Sequence, residues 1–175
     1  KTTLADVVLL CHGYLGSRFD LSHLAEKLAA KGFLCLAAEY PESLAASFDR
    51  VDGLTRSIIN DKLLERLKGV WNVQARAFGI IGHSLGCGTA IETGDSSWAR
   101  VCIAGFPRTR DGRPIEGNLL FLSSMNDGAV SLARFGGKDA IPSDIVLLEE
   151  SSLEKRISSG IPKRAALVFE GPDAP

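Results

Sequence analysis

The chemistry this chain could perform is concentrated in Gly82-His83-Ser84-Leu85-Gly86, a G-x-S-x-G. A serine hydroxyl attacks a carbonyl only when a base removes its proton and donors meet the charge developing on the carbonyl oxygen. The glycine spacing meets the second condition through geometry. Without a Cβ at Gly82 and Gly86, a strand and a helix can pass close together, and the serine between them is forced onto a sharp turn. Its hydroxyl then stands at a helix N-terminus, among backbone N–H groups with no partner inside the helix. An apolar run from Phe78 to Ile81 leads into the turn, and the small residues Gly86, Cys87, Gly88, Thr89 and Ala90 follow it. The stretch predicts strand, turn and helix with Ser84 as a nucleophile. The alternative is a glycine-rich turn carrying an incidental serine.

Such a turn needs a sheet to hold it, and the rest of the chain is patterned to make one. Continuous apolar runs at residues 7–11, 33–38, 78–81, 101–106, 119–123 and 165–169 predict about six strands covered on both faces. A helix over residues 21–31 places Leu21, Leu24, Ala25, Leu28 and Ala29 on one side, with Asp20 as its N-cap and Gly32 at its end. A second helix, over residues 54–68, aligns Leu54 with Ile58 and Ile59 with Leu63 and Leu67. Between the last two strands a weak helix is expected near residues 129–135 and a better one near 144–157. Residues 42–53 show no clean period, and the charged link 107–118 is about the shortest that can return the chain to a parallel strand. The alternation predicts one α/β domain over residues 1–175, a mostly parallel sheet with helices on both faces.

Composition removes several function classes. With 45% apolar and 23% charged residues and a net charge of −1, the chain has no basic field for nucleic acid and no polybasic membrane patch. No apolar run approaches the length of a membrane span. Cys11, Cys35, Cys87 and Cys102 lie in apolar runs or at the turn, without a C-x-x-C pair or a histidine beside them. No metal or cofactor is implied. Free thiols in a reducing compartment are expected, with a Cys11–Cys35 bridge as the alternative. A start at Lys1 and a stop just past a strand give both ends a trimmed look, which leaves compartment and oligomeric state open.

In sheets of this kind functional groups collect at the carboxyl ends of the strands. Here those ends carry His12-Gly13-Tyr14, Glu39-Tyr40, Ser84, Pro107, Asp127 and Glu170-Gly171. A strand ending in His12-Gly13, a G-x-S-x-G after a later strand and an acid after a strand further on resemble the α/β-hydrolase family, from residue 7 to residue 169. The resemblance implies that Leu85 supplies one oxyanion N–H and Tyr14 the other, with Leu15 as a second choice. It places the triad acid on Asp127, within LLFLSSMNDGAV. Asn126-Asp127-Gly128 is also a good turn by itself, and Asp111 is the competing acid. His12 and Gly13 are expected to shape the oxyanion loop, and His83, with Gly82 and Gly86, to support the turn. His23, near Asp20 and Glu26, reads as a solvated helix residue. The family order is serine, acid, histidine, yet no histidine follows Ser84. That base is expected within about ten residues beyond Pro175, the usual length of a strand-end loop.

The expected activity is hydrolysis of carboxylic esters through an acyl-enzyme on Ser84. A loose similarity to the branch holding dienelactone hydrolases, platelet-activating-factor acetylhydrolases and chlorophyllases implies a lipophilic small-molecule ester. Residues 42–53 and 139–161 could cover the site, or be plain surface. An acyltransferase on the same fold and a catalytically silent binding protein are the rival expectations.

Overall fold

Seven strands pair in parallel in the order β2-β1-β3-β4-β5-β7-β6. They are β1 (Thr3–Cys11), β2 (Leu34–Ala37), β3 (Val73–His83), β4 (Ala99–Ile103), β5 (Asn118–Ser124), β6 (Val146–Leu148) and β7 (Arg164–Phe169). The helices are α1 (Ser22–Ala29), α2 (Arg56–Gly69), α3 (Leu85–Glu92) and α4 (Leu153–Ser159). The computed structural model describes residues 2–40, 54–105, 113 and 115–170. The suggested cover at 42–53, Pro107, Asp111 and residues 171–175 lie outside the described residues.

Both faces of the sheet are covered, for the reason the apolar runs imply. Val7, Leu9 and Cys11 of β1 point to one side, where they meet Ile80, Cys102, Phe121, Leu67 of α2 and Ala90 of α3. Val8 and Leu10 point to the other, against Leu21, Leu24 and Leu28 beside α1. Farther along that second side, Leu120, Leu122, Leu148 and Leu167 pack with Leu153 of α4. Burying each such side chain contributes about 1.5–3 kcal/mol.

The strand order reverses beside β1. From β1 the chain goes outward to β2, then returns to place β3 on the other side. A crevice opens at the carboxyl ends wherever neighbouring loops leave in opposite directions, which here is between β1 and β3. The loop after β1 and the turn after β3, the two segments picked out by the sequence, both emerge there.

Several expectations need correction. The helix expected over residues 144–157 is instead strand β6, a short 3-10 turn (Glu150–Ser152) and α4. Ile145-Val146-Leu147-Leu148 is a short apolar run that fits a strand as well as a helix, and pairing decides. Val146, Leu147 and Leu148 align with Ala165, Ala166 and Leu167 of β7, making β6 the edge of the sheet. The weak helix near 129–135 is a 3-10 turn, Leu132–Phe135. β1 and β3 run longer than their apolar runs, in register from Thr3↔Val73 to Cys11↔Gly82 with one shift at Ala5/Asp6. Their extra length is half-exposed backbone pairing, tied by Arg76 Nε and Nη2 on Asp6 at 3.1 and 2.8 Å. Asp20 does not cap α1: Leu21 holds that position, and the Asp20 carboxylate accepts from Ser17 Oγ at 3.0 Å. Gly32 does close the helix region, at φ +91°. All four cysteines are free. Cys11 and Cys35 sit on opposite faces of the sheet, which forbids the alternative bridge.

The pairing of β6 makes a direct test. Leu148 is 4% exposed and Leu147 43%. Urea unfolding should show Leu148→Ala destabilised by about 2–4 kcal/mol, and Leu147→Ala by less than about 1 kcal/mol.

Candidate active site

Ser84 sits at φ +52°, ψ −119°, a conformation that disfavours any side chain, as the cap residue of α3. The surrounding backbone imposes it. Its N–H donates to the Ile103 carbonyl of β4 at 2.8 Å, and its own carbonyl accepts from Cys87 N–H at 2.9 Å. Cys87 braces the turn from below, with Sγ donating to the carbonyls of Gly82 at 3.2 Å and Ile103 at 3.3 Å. A Cβ on Gly82 would overlap the Gly86 backbone, and one on Gly86 would overlap the carbonyls of Cys11 and His12. The two glycines of the motif let β3, α3 and the end of β1 touch. Leu85, the first helical residue, has an N–H with no acceptor inside the helix, as any helix start does.

The loop after β1 lies against this turn. A Cβ on Gly13 would stand 3.2 Å from Ser84 Cβ and 3.3 Å from His83 Nδ1, a tight fit that would press the serine and histidine back by a few tenths of an ångström. Tyr14 and Leu15 follow it on the surface, Leu15 at φ +54°. Behind the loop His12 is buried, with its Nδ1 donating to the Gly13 carbonyl at 2.9 Å, since a carbonyl can only accept. Its Nε2 faces Glu39 Oε1 at 3.5 Å, and neither atom has a hydrogen-bond partner among the described residues. The His12 ring also packs on Tyr40, 4.8 Å between centroids.

The loop carrying Asp127 stands two strands away, after β5. Asp127 Oδ1 accepts the backbone N–H groups of Val130 at 2.7 Å and Ala129 at 2.8 Å. Those two bonds hold its carboxyl below the usual carboxylate range; partial burial opposes them, and positive charge on His83 adds a smaller lowering. Oδ2 accepts no hydrogen bond among the described residues. The loop is fastened to the end of β7, with Met125 N–H on the Phe169 carbonyl and Asn126 Nδ2 on the Glu170 carbonyl, both at 2.9 Å. Phe169 and Glu170 therefore lie beside the Asp127 loop.

Sequence reasoning missed two features. Ala104, just past β4, sits at φ +51°, and together with Leu15 and Ser84 gives three left-handed non-glycine residues at the carboxyl ends of β1, β3 and β4. Strained backbone of this kind clusters where a site is preorganised. The second is Arg56, whose Nη1 donates to the His12 carbonyl at 2.6 Å and Nη2 to the Gly13 carbonyl at 3.3 Å. No local pattern marks it, because its partners are 44 and 43 residues away. His23 is exposed on α1, as expected. Cys11, its thiol pushed up by burial, and Cys102, pushed up by its bond to Cys87 and by burial, are neutral and are not rival nucleophiles. Among the described residues no group of histidine, cysteine and carboxylate side chains could hold a metal, and no helix is long and apolar enough to cross a membrane.

A parallel sheet reversing beside β1, with a strained serine at its carboxyl edge, is the α/β-hydrolase fold. Solved structures agree. An esterase of Pyrococcus furiosus superposes with a TM-score of 0.65 at 15% identity, over 96% of this chain and 74% of that one. A putative α/β hydrolase from Agrobacterium tumefaciens gives 0.65 at 14% identity, over 98% and 77%. A putative dienelactone hydrolase from Klebsiella pneumoniae gives 0.58 at 12%, over 99% and 76%. No family model and no curated protein matches the sequence.

Two measurements probe this geometry. Gly86→Ala should lose about 3 kcal/mol in urea unfolding because its Cβ meets backbone that cannot yield. Gly88→Ala, two residues on with open space around it, should gain about 0.5–1 kcal/mol. Asp127 has a lower pKa folded than its ordinary 3.8, so its ionisation stabilises the fold above that value and the contribution is lost as pH falls through the depressed one. Wild type should be more stable than Asp127→Asn at neutral pH, and the gap should close on acidification below about pH 4.

Proposed function

We propose that this chain is a serine hydrolase that cleaves carboxylic esters through an acyl-enzyme on Ser84. The observation that carries the reading is the serine's backbone at φ +52°, held at a helix N-terminus with the Gly13 backbone against its Cβ. Ser84 Oγ attacks the ester carbonyl and gives its proton to a base. The oxyanion that forms accepts from Leu85 N–H at the helix start and from Tyr14 N–H on the facing loop. The base then protonates the departing alcohol, and water releases the acyl group by the reverse sequence.

Asp127 is the orienting acid in this reading, supported by its depressed pKa and by an Oδ2 left open for an imidazole N–H. In this reading Asp127 orients the imidazole that takes the Ser84 proton. His12 and His83 are supports: His12 is buried behind the oxyanion loop, and His83 lies beside Gly13 on the nucleophile turn. The esterase and hydrolase names borne by the structural neighbours favour hydrolysis over acyl transfer or simple binding. Exposed Tyr14, Leu15 and Phe19 on one loop and exposed Leu85 beside Ser84 favour an ester with a lipophilic part.

A fluorophosphonate probe tests the reading on the full-length protein. Wild type should be labelled within minutes, Ser84→Ala not at all, and Asp127→Asn at a rate lower by at least about a hundredfold, since the imidazole loses its orienting partner. A folded wild-type protein that resists the probe would falsify it.

A further inference from the structure

We propose that Arg56 is a positioning residue for the oxyanion hole, setting the direction of the Tyr14 N–H by gripping the carbonyls on the far side of the same peptides. The inference rests on the reading of Ser84 as nucleophile and Tyr14 N–H as donor.

In a trans peptide the carbonyl and the following N–H share one plane and point in opposite directions. The carbonyl of His12 therefore fixes the N–H of Gly13, and the carbonyl of Gly13 fixes the N–H of Tyr14. Arg56 reaches both carbonyls, at 2.6 and 3.3 Å, and His12 Nδ1 adds a second donor to Gly13 at 2.9 Å. The grip matters because Gly13 has no Cβ to restrict its φ and ψ. A charged donor on the carbonyl also polarises the amide, which strengthens the N–H on its other end.

The fork is itself held in place. The guanidinium lies 4.3 Å from the centre of the Tyr40 ring. Tyr40 is buried and donates its hydroxyl to Asn60 Oδ1 at 3.0 Å. Asn60 stands one helical turn after Arg56 on α2, so ring, amide and fork share one face of that helix. Asn60 Nδ2 in turn donates to Thr93 Oγ1 at 3.4 Å, past the end of α3. One rigid element thus ties the oxyanion loop to the far end of the nucleophile helix. Lysine, whose three donors share one nitrogen, does not reproduce the planar fork that meets the two carbonyls from two nitrogens.

Hydrolysis of 4-nitrophenyl acetate by the full-length protein tests this. Arg56→Met should lower kcat about ten- to a hundredfold with KM within about twofold, because a misaimed oxyanion donor is felt only in the transition state. Arg56→Lys should also fall below wild type, and it carries the test if the methionine variant does not fold. Arg76→Met, which removes an exposed ion pair elsewhere on β3, should match wild type. Wild-type kcat in folded Arg56→Met or Arg56→Lys, or a loss confined to KM, overturns the proposal. Ser84→Ala separates the two levels: inactivity there with unaffected Arg56 variants sinks only the role of Arg56, whereas full activity in Ser84→Ala sinks the nucleophile and Arg56 with it.

Discussion

The start of α3 lies closer to the ends of β1 and β3 than any side chain would permit. Gly86 packs on the carbonyls of Cys11 and His12, and Gly82 packs on Gly86. From that approach the rest of the carboxyl edge follows. The helix N-terminus reaches the carboxyl edge where the strand order reverses, and Ser84 connects strand to helix at φ +52°. Strain at one residue persists when its surroundings over-determine it. Here they do, through the Ile103 carbonyl, the Cys87 N–H and the Cys87 thiol.

The far end of α3 is secured differently. Arg100 is buried, and its guanidinium donates to the carbonyls of Ala90, Thr93, Asp95 and Trp98. Burial pulls its pKa down and Asp95 opposes that pull. A cation among the last carbonyls of a helix satisfies acceptors that would otherwise be buried without partners, and it complements the helix dipole. Helix α3 is thus held by close backbone contact at its start and by a buried charge at its end. Behind the loop after β1 the same device recurs, an arginine on backbone carbonyls, with Tyr40 and Asn60 fixing its plane.

The Asp127 loop belongs to a separate part of the sheet. Asp127 spends one carboxylate oxygen on its own turn, the other accepts no hydrogen bond among the described residues, and Met125 and Asn126 fasten the loop to the end of β7. The turn-forming role that the Asn-Asp-Gly sequence suggests and the acid role that the family resemblance implies are compatible, because they use different oxygens. The turn at Ser84 and the loop after β1 are adjacent in space but come from strands more than sixty residues apart, and the parallel pairing of β1 with β3 brings them together.

Sequence alone determined what depends on neighbours a few residues away. The apolar runs marked six of the seven strands, glycine spacing marked the turn around Ser84, and helical periodicity marked α1 and α2 to within two residues. Tertiary structure decided whatever depends on partners far along the chain. The run Ile145-Val146-Leu147-Leu148 became a strand because β7 offered it a free edge, and β1 and β3 lengthened because each had the other to pair with. Asp20 turned to Ser17 and left α1 uncapped by a side chain, since two local bonds competed and the loop geometry chose. Arg56 was illegible for the same reason: a guanidinium on a helix looks like any solvated charge until the fold sets two carbonyls beside it.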